Sequence, residues 1–396
     1  MKSFMKVAMA TTLLTSVATA ASAAEVKIGV FLGFTGPIES IVADMGPAAE
    51  LAIKEVSDSG LLLGGDTVTA VRGDTTCIDA AAATATAERL ITSDGVKAIV
   101  GGDCSGVTTA ALQNVAVPNG TVMISPSATS PALSTVEDKG LFFRTAPSDA
   151  RQGVIVSDIL MEKGVKSVAL TYTNNDYGKG LADSIEKNYT AAGGKVTIVA
   201  AHEDGKGDYS AEVGALASAG GDVLVVAGYV DQGGKGIIQS SLDTGAFDTF
   251  YLPDGMVGDS LPEAIGSDLN GSYGANPGTD SPGAATFAKM AEAAGFKAGP
   301  FSAESYDAAA LILLAMQAAG SSDSSALKDK VMDVANAPGE KIYPGELAKA
   351  LKILADGGEV DYVGASAVEL IGAGESAGNY RQIAIEDGKV VAVKYR

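Results

Sequence analysis

Ser105, Ser127, Thr129, Tyr177, Tyr229 and Asp254 carry most of the chemistry this sequence offers. Each lies just beyond a predicted strand. Ser105 follows Gly101-Gly102-Asp103-Cys104 and opens a predicted helix, whose unpaired N–H groups and positive dipole end suit a carboxylate. The hydroxyls of Ser105 and Thr129 would add two donors. Asp254, in Pro253-Asp254-Gly255, would pair with an ammonium group. Tyr177 and Tyr229 would supply apolar walls with polar tips. Each residue also has an ordinary structural alternative: an N-cap for Ser105, a turn residue for Asp254, half-buried rings for the tyrosines. Taken together they describe a cleft for a small zwitterion.

The inventory argues against other chemistries. The chain has 396 residues, one histidine (His202), two cysteines and no tryptophan. Those numbers leave little for a metal site or for histidine-driven catalysis. There is no Gly-x-Ser-x-Gly elbow for a serine hydrolase, and His202 sits in Ala201-His202-Glu203-Asp204-Gly205, which reads as a solvated strand-end loop. Gly228 to Lys235 misses the phosphate-loop spacing by one residue and lacks its Ser or Thr. A net charge of -20 opposes nucleic acid and anionic lipid alike. An enzyme is not expected, nor any cofactor.

Lys2 and Lys6, the uncharged stretch Val7 to Ala20, and Ala21-Ser22-Ala23 have the layout of a cleavable export signal, with cleavage after Ala23. No later apolar run is long enough to span a membrane, so an exported, periplasmic, soluble chain is expected. An oxidising compartment makes a disulfide the default for Cys77 and Cys104, 27 positions apart and without Cys-x-x-Cys spacing.

The elements that must position these residues alternate. Strands are predicted at 26–32, 67–71, 98–100 and 122–124, with helices at 40–56, 79–92 and 105–115 between them. A second series starts near Asp149, with helices at 153–162, 178–191, 210–217 and 233–242 and strands at 167–171, 195–200, 222–227 and 249–252. Helices at 287–294, 304–319, 325–335 and 346–355 follow, then strands 380–386 and 389–395 joined at Asp387-Gly388. Such alternation implies an α/β chain with two Rossmann-like lobes on parallel sheets.

Several segments appear in a telling order: Lys27-Ile28-Gly29-Val30, Thr35-Gly36-Pro37, Asp74-Thr75-Thr76-Cys77, Gly101-Gly102-Asp103-Cys104-Ser105, Ser125-Pro126-Ser127-Ala128-Thr129, Asn175-Asp176-Tyr177-Gly178-Lys179-Gly180 and Tyr306-Asp307-Ala308. With them the mature chain resembles the periplasmic branched-chain amino-acid binding proteins, the type I substrate-binding components of ABC importers. The resemblance implies two lobes joined by three crossovers, with residues 24–148 and 276–375 in the first lobe and 149–275 and 376–396 in the second. It implies that Ser105 and Thr129 hold a ligand carboxylate, position 127 meets the head group through its backbone, Asp254 takes the ammonium, and Tyr177 and Tyr229 close over the ligand. The Cys77–Cys104 pair matches a family disulfide. Phe34, Ile41, Asp103 and Glu304 fall near the pocket lining, and Asp103, where the family has an apolar residue, points to a small or polar amino acid as readily as an aliphatic one. The implied partners are a small amino acid and the membrane permease subunits, for a chain expected to be a monomer. A periplasmic sensing module on the same fold is the alternative.

Overall fold

A computed structural model describes residues 23–396; the export signal read at residues 1–23 lies outside them but for Ala23. In the first half, strands β1 (Glu25–Leu32), β2 (Thr67–Asp74), β3 (Ala98–Gly101), β4 (Val122–Ser125) and β5 (Phe142–Pro147) alternate with helices α1 (Glu39–Ser59), α2 (Ala80–Glu88), α3 (Ser105–Ala111) and the short α4 (Val117–Asn119). In the second, β6 (Ser167–Thr173), β7 (Lys195–His202), β8 (Val223–Ala227), β9 (Phe250–Leu252) and β10 (Tyr273–Pro277) alternate with α5 (Asp149–Glu162), α6 (Asp176–Ala191), α7 (Ser210–Ala219), α8 (Gly233–Thr244) and α9 (Ser260–Ile265). After β10 come α10 (Pro282–Ala294), α11 (Ser302–Ala319), α12 (Ser324–Leu327) and α13 (Val331–Ala335). The chain ends through β11 (Glu340–Ile342), α14 (Leu347–Ala355), β12 (Val360–Tyr362), β13 (Leu370–Ile371), β14 (Glu375–Ser376), β15 (Tyr380–Glu386) and β16 (Lys389–Tyr395).

These strands form two seven-stranded sheets of matching order, β13-β14-β5-β4-β3-β1-β2 and β16-β15-β10-β9-β8-β6-β7, while β11 and β12 pair separately. The first five strands of each sheet are parallel; antiparallel pairing is confined to the late additions β13–β14, β10–β15 and β15–β16. The fold is therefore α/β with two lobes, each a mostly parallel sheet flanked by helices. The chain passes between sheets three times: from β5 into α5, from β10 into α10, and from β14 into β15.

Most core strands read as near-continuous apolar runs because both faces are covered. Two of them do not. β5 is buried at every position although it contains Arg144 and ends in Pro147, and β10 is buried although it reads Tyr-Gly-Ala-Asn-Pro. Neither has the β-branched run that marks a strand in sequence, so neither is among the predicted strands. The predicted helix over 325–335 is instead two short helices separated by a tighter turn at Lys328–Lys330. α11 is buried almost all round, lodged against α1, α13 and α14, which is why Leu311 to Met316 is apolar without periodicity.

Arg144 explains how β5 tolerates a cation. Its guanidinium, 1% exposed, donates to the backbone oxygens of Ala128 and Ser130 at 3.0 Å, to Ser134 Oγ at 2.7 Å, and to the Glu375 carboxylate on β14. One buried side chain thus pins the 128–134 loop to the sheet. A second clamp is the Cys77–Cys104 disulfide, with Cα atoms 5.1 Å apart, which ties the end of β2 to the start of α3.

On the loop-entropy account, closing this 27-residue separation stabilises the fold by roughly 3–4 kcal/mol. The Cys77→Ser, Cys104→Ser double variant is expected to lose about that much in a denaturant titration. A loss below about 1 kcal/mol would show that the pair contributes little beyond local order.

Candidate functional site

Strand order 2-1-3 in the first lobe and 7-6-8 in the second places a topological switch point in each sheet, where neighbouring strands send their connections to opposite faces. The segments after these strands are thereby left splayed. In the first lobe Asp103 fills the gap. Its carboxylate accepts from the Gly33 N–H and from the Thr75 hydroxyl, both at 2.7 Å, so one side chain joins the ends of β1, β2 and β3. Gly33 is required here: a Cβ would stand 2.6 Å from the Asp103 carboxylate oxygen. Burial raises the Asp103 pKa, and these donors hold it back.

Between the lobes lies a partly open cavity of about 20 Å3, above the roughly 10–15 Å3 that a water molecule needs. Its first-lobe wall comprises Ile38, Ile41, Asp103, Cys104, Ser105, Ser127 and Phe301; its second-lobe wall is Tyr177, Tyr229, Asp254 and Gly255. Ser105 is the first residue of α3, whose N-cap Cys104 gives no side-chain cap. The first N–H groups of α3 are therefore unclaimed by a cap. Ser105 Oγ accepts from Ser130 N at 3.1 Å, which leaves its hydroxyl hydrogen free to donate. Ser127 Oγ donates to Asp103 O at 3.1 Å.

On the facing wall, Asp254 is 1% exposed. Its Oδ1 accepts from the Tyr177 hydroxyl at 2.6 Å and from Gly255 N at 2.9 Å. A Cβ on Gly255 would fall 2.6 Å from Gly228 O and 2.8 Å from the Tyr177 hydroxyl, so glycine permits this close approach. The Tyr177 and Tyr229 rings stack with centroids 5.2 Å apart and planes 14° from parallel. Asn175 caps α6 through Gly178 N at 3.0 Å and donates to the Tyr229 hydroxyl at 3.4 Å, linking helix start to ring.

A second acid lies behind Asp254. Asp149, in the first turn of α5, accepts from Gln152 Nε2 at 2.6 Å, and Gln152 Oε1 in turn accepts from Asp254 N at 3.1 Å. Burial raises both carboxyls, and for Asp149 the negative charge of Asp254 raises it further. The Thr129 hydroxyl lies beside Asp149 and lowers its pKa, but in a geometry too poor for a full hydrogen bond. The site is thus strongly electronegative on one side, offers N–H and O–H donors on the other, and is apolar at Ile38, Ile41 and Phe301. Such a lining complements a cation and an anion on one small molecule, for which the lobes must part beyond the roughly 20 Å3 they now leave.

The structure brings Ser105, Ser127, Tyr177, Tyr229, Asp254, Ile41 and Asp103 to one cavity. Thr129 sits one layer back from that wall, fully buried. Three expectations need correction. Phe34 does not line the cavity; its ring packs over Gly46 and under the Arg72 guanidinium, 4.8 Å from the centroid. Glu304 does not line it either, and opens into a separate cavity at the lobe crossings. His202 is not solvated: β7 runs on to include it and leaves it 1% exposed. It shares a hydrogen bond with Thr171 Oγ1 at 2.8 Å, and burial depresses its pKa to about 4. No group of metal-ligating side chains occurs among the described residues, and no helix among them is long and apolar enough to cross a membrane.

A family model for periplasmic binding proteins matches residues 25–341. The Leu/Ile/Val-binding protein homolog 1 of Brucella melitensis is 32% identical over 318 residues, covering 78% of this chain and 83% of the relative. The chain belongs to the periplasmic binding proteins of the Leu/Ile/Val-binding type. Solved structures agree on the fold. A leucine-binding protein, LivK, of Thermotoga maritima superposes with a TM-score of 0.78 at 22% identity, covering 93% of this chain and 98% of that one. LivJ of Streptococcus pneumoniae, a branched-chain amino-acid transporter substrate-binding protein in complex with isoleucine, gives 0.78 at 24% identity, with 94% and 99% covered. A solute-binding protein of an ABC transporter from Rhodopseudomonas palustris, in complex with benzoate, gives 0.74 at 20% identity, with 94% and 96% covered.

In this periplasmic binding protein the sequence reading missed Ile38, Phe301 and Gly255 in the cavity wall, and Asp149, Gln152 and Arg144 behind it. Ile38 and Phe301 each follow a Gly-Pro pair, Gly36-Pro37 and Gly299-Pro300, a breaker signal that could have flagged them as loop-tip side chains. Asp149 and Gln152 look like an ordinary helix start.

The hydroxyl of Tyr177 lowers the Asp254 pKa, so Tyr177→Phe is expected to raise it. The O–H···carboxylate bond exists in strength only when Asp254 is ionised. The variant should therefore match the parent in acid and fall behind by about 1.5–3 kcal/mol as pH rises through the parent Asp254 pKa. Carbon NMR of the carboxyl and paired denaturant titrations across pH read both effects; superimposable stability curves at all pH would refute the charge-assisted bond.

Proposed function

We propose that this protein is the solute-binding component of an ABC importer, taking a small aliphatic α-amino acid between its lobes and presenting the closed form to membrane permease subunits. The lobes in this reading are 24–148 with 276–375 and 149–275 with 376–396, and closure turns on the three crossings between them. The observation that carries it is Asp254, buried on the second-lobe wall across the cavity from the start of α3. The ammonium pairs with Asp254, while the carboxylate meets the first N–H groups of α3 and the Ser105 hydroxyl, and Thr129 stays one layer behind, beside Asp149. Ile38, Ile41 and Phe301 then receive the side chain. Asp103 does not spoil this apolar region, because its carboxylate is already committed to Gly33 and Thr75.

The structural neighbours include binders of isoleucine and of benzoate. Physical chemistry favours the amino acid here. An aromatic acid has no cation, and its ring would leave the ionised Asp254 desolvated and unpaired. Ligand at 100 times its dissociation constant stabilises the folded chain by about 2.7 kcal/mol, so thermal melting against amino acids, aromatic acids, amides and sugars is decisive. Aliphatic α-amino acids are expected to raise the melting temperature. A shift from benzoate-like acids and none from any α-amino acid would overturn the reading.

Two variants of the experiment follow from Asp254. Asp254→Asn is expected to weaken amino-acid binding by about 2–5 kcal/mol, measured by isothermal titration. In the parent, ligand requires the ionised carboxyl, and the burial-raised pKa of the empty site sets the pH below which affinity declines. Binding should therefore be full above that pKa, weaken as pH falls through it, and release protons within that window. An affinity independent of pH down to the ordinary carboxylate range would refute the assignment.

A further inference from the structure

A second cavity, of about 180 Å3, lies where the chain crosses between the lobes. One wall comes from the second sheet, with Asn276 at the end of β10 and Arg381 in β15, and the other from the helices that follow β10, with Glu304 and Ser302 of α11 and Ala288 of α10. Phe301 lines this cavity and the cleft cavity alike, so its ring is the partition between them. Phe301 has φ 59°, a left-handed conformation uncommon for a bulky residue, which lets it turn sideways ahead of α11.

Glu304 is 3% exposed. Its backbone carbonyl is used, accepting from Thr145 Oγ1 at 2.8 Å, but no side chain among the described residues hydrogen-bonds its carboxyl. Burial moves that carboxyl up to about 7, with Asp307 adding to the rise and Arg381 opposing it. Across the cavity, Arg381 spends Nε on Asn276 Oδ1 at 3.3 Å, while Asn276 Nδ2 donates to Pro277 O at 2.8 Å. The terminal nitrogens of Arg381 remain for another acceptor. Interiors do not leave a buried acid and a guanidinium facing open space without cost, and solvated cavities of this size accept more than a single water. None of the amino-acid contacts proposed for the cleft uses these groups.

We propose that this hinge cavity is a second ligand site, taking a small linear zwitterion with its ammonium on Glu304 and its carboxylate on Arg381. A molecule held there touches segments of both lobes at two of the three crossings and backs the Phe301 ring. It therefore favours the closed arrangement whose walls it fits, and the two sites bind with positive, reciprocal coupling. The ligand class follows from charge: one acid and one base on opposite walls, with no net charge to select a simple cation or anion.

The probes are β-alanine, 4-aminobutyrate and 5-aminovalerate, zwitterions of graded length, titrated calorimetrically into the mature chain and into Asp254→Asn. At least one is expected to bind both proteins, and to lose at least tenfold in affinity in Glu304→Gln. Ala288 is exposed at the cavity rim, so Ala288→Trp supplies a plug that does not disturb the hinge acid and should give the same loss. In the parent, saturating probe should tighten binding of the cleft amino acid. Absence of binding by all three probes overturns the proposal, as does affinity unchanged in both Glu304→Gln and Ala288→Trp. Binding that disappears in Asp254→Asn but survives Glu304→Gln places the probe in the cleft and overturns it too. Unchanged cleft affinity with probe bound overturns the coupling. Because Asp254→Asn disables only the cleft, failure of the cleft reading and failure of the hinge reading are separately visible.

Discussion

Holding the Asp254 carboxyl out of water, with a second carboxyl close behind it, is the most demanding condition this molecule meets. An isolated buried carboxylate is costly enough that proteins ordinarily neutralise or pair it. Here the surroundings offset part of that cost with a tyrosine hydroxyl and a backbone N–H on the oxygen, and a glutamine that bonds Asp149 and Asp254 N in one chain. They leave the remainder for a cation. The residues that meet this condition come from α5, α6 and the turn after β9, three elements brought together only because β8 lies between β6 and β9 in the sheet. The fold of the second lobe can be understood as the scaffold that keeps this charge dry.

The first lobe answers with the opposite polarity and by different means. Among the described residues that line the cavity it presents no cation. Its contribution is the start of α3, fixed in place from three directions. Asp103 joins the strand ends just ahead of it, the disulfide ties Cys104 back to the β2 loop, and Ser105 receives Ser130 from the loop that Arg144 anchors. Positioned dipoles of this kind need no side-chain reorganisation when a carboxylate arrives, which is the meaning of preorganisation in a binding site. Arg144, far from being a surface charge, works at a distance on the site through the loop it holds.

Much of this was legible in the sequence, and the exceptions have physical causes. Alternation of apolar runs with helical stretches marks β1, β6 and β8 and the terminal hairpin, because buried parallel strands and Asp-Gly turns leave local signatures. β5 and β10 leave none: their burial is decided by neighbours, Glu375 neutralising Arg144 in one case and β15 covering the other. Among site residues, Ser105, Tyr177, Tyr229 and Asp254 could be found because they follow strands, where such sheets bind ligands. Phe301 and Ile38 could not be placed by that rule, since they lie on helix approaches whose direction depends on lobe packing. His202 shows the converse failure. A polar residue beside Glu, Asp or Ala in sequence carries no sign of whether the fold will bury it.

The stacked pair in the cleft has an optical consequence. The chain contains no tryptophan and 12 tyrosines, so phenol rings dominate its near-ultraviolet absorption and fluorescence, over weaker contributions from phenylalanine and the disulfide. Tyr177 and Tyr229, 5.2 Å apart and almost parallel, are close enough for their transitions to interact, and the Tyr177 hydroxyl is hydrogen-bonded to a carboxylate that can draw on its excited-state proton. The cleft therefore carries its own chromophore pair. Any event that separates the two rings, or withdraws Asp254 from the hydroxyl, is written into the near-ultraviolet circular dichroism of the unlabelled protein, against a background free of indole.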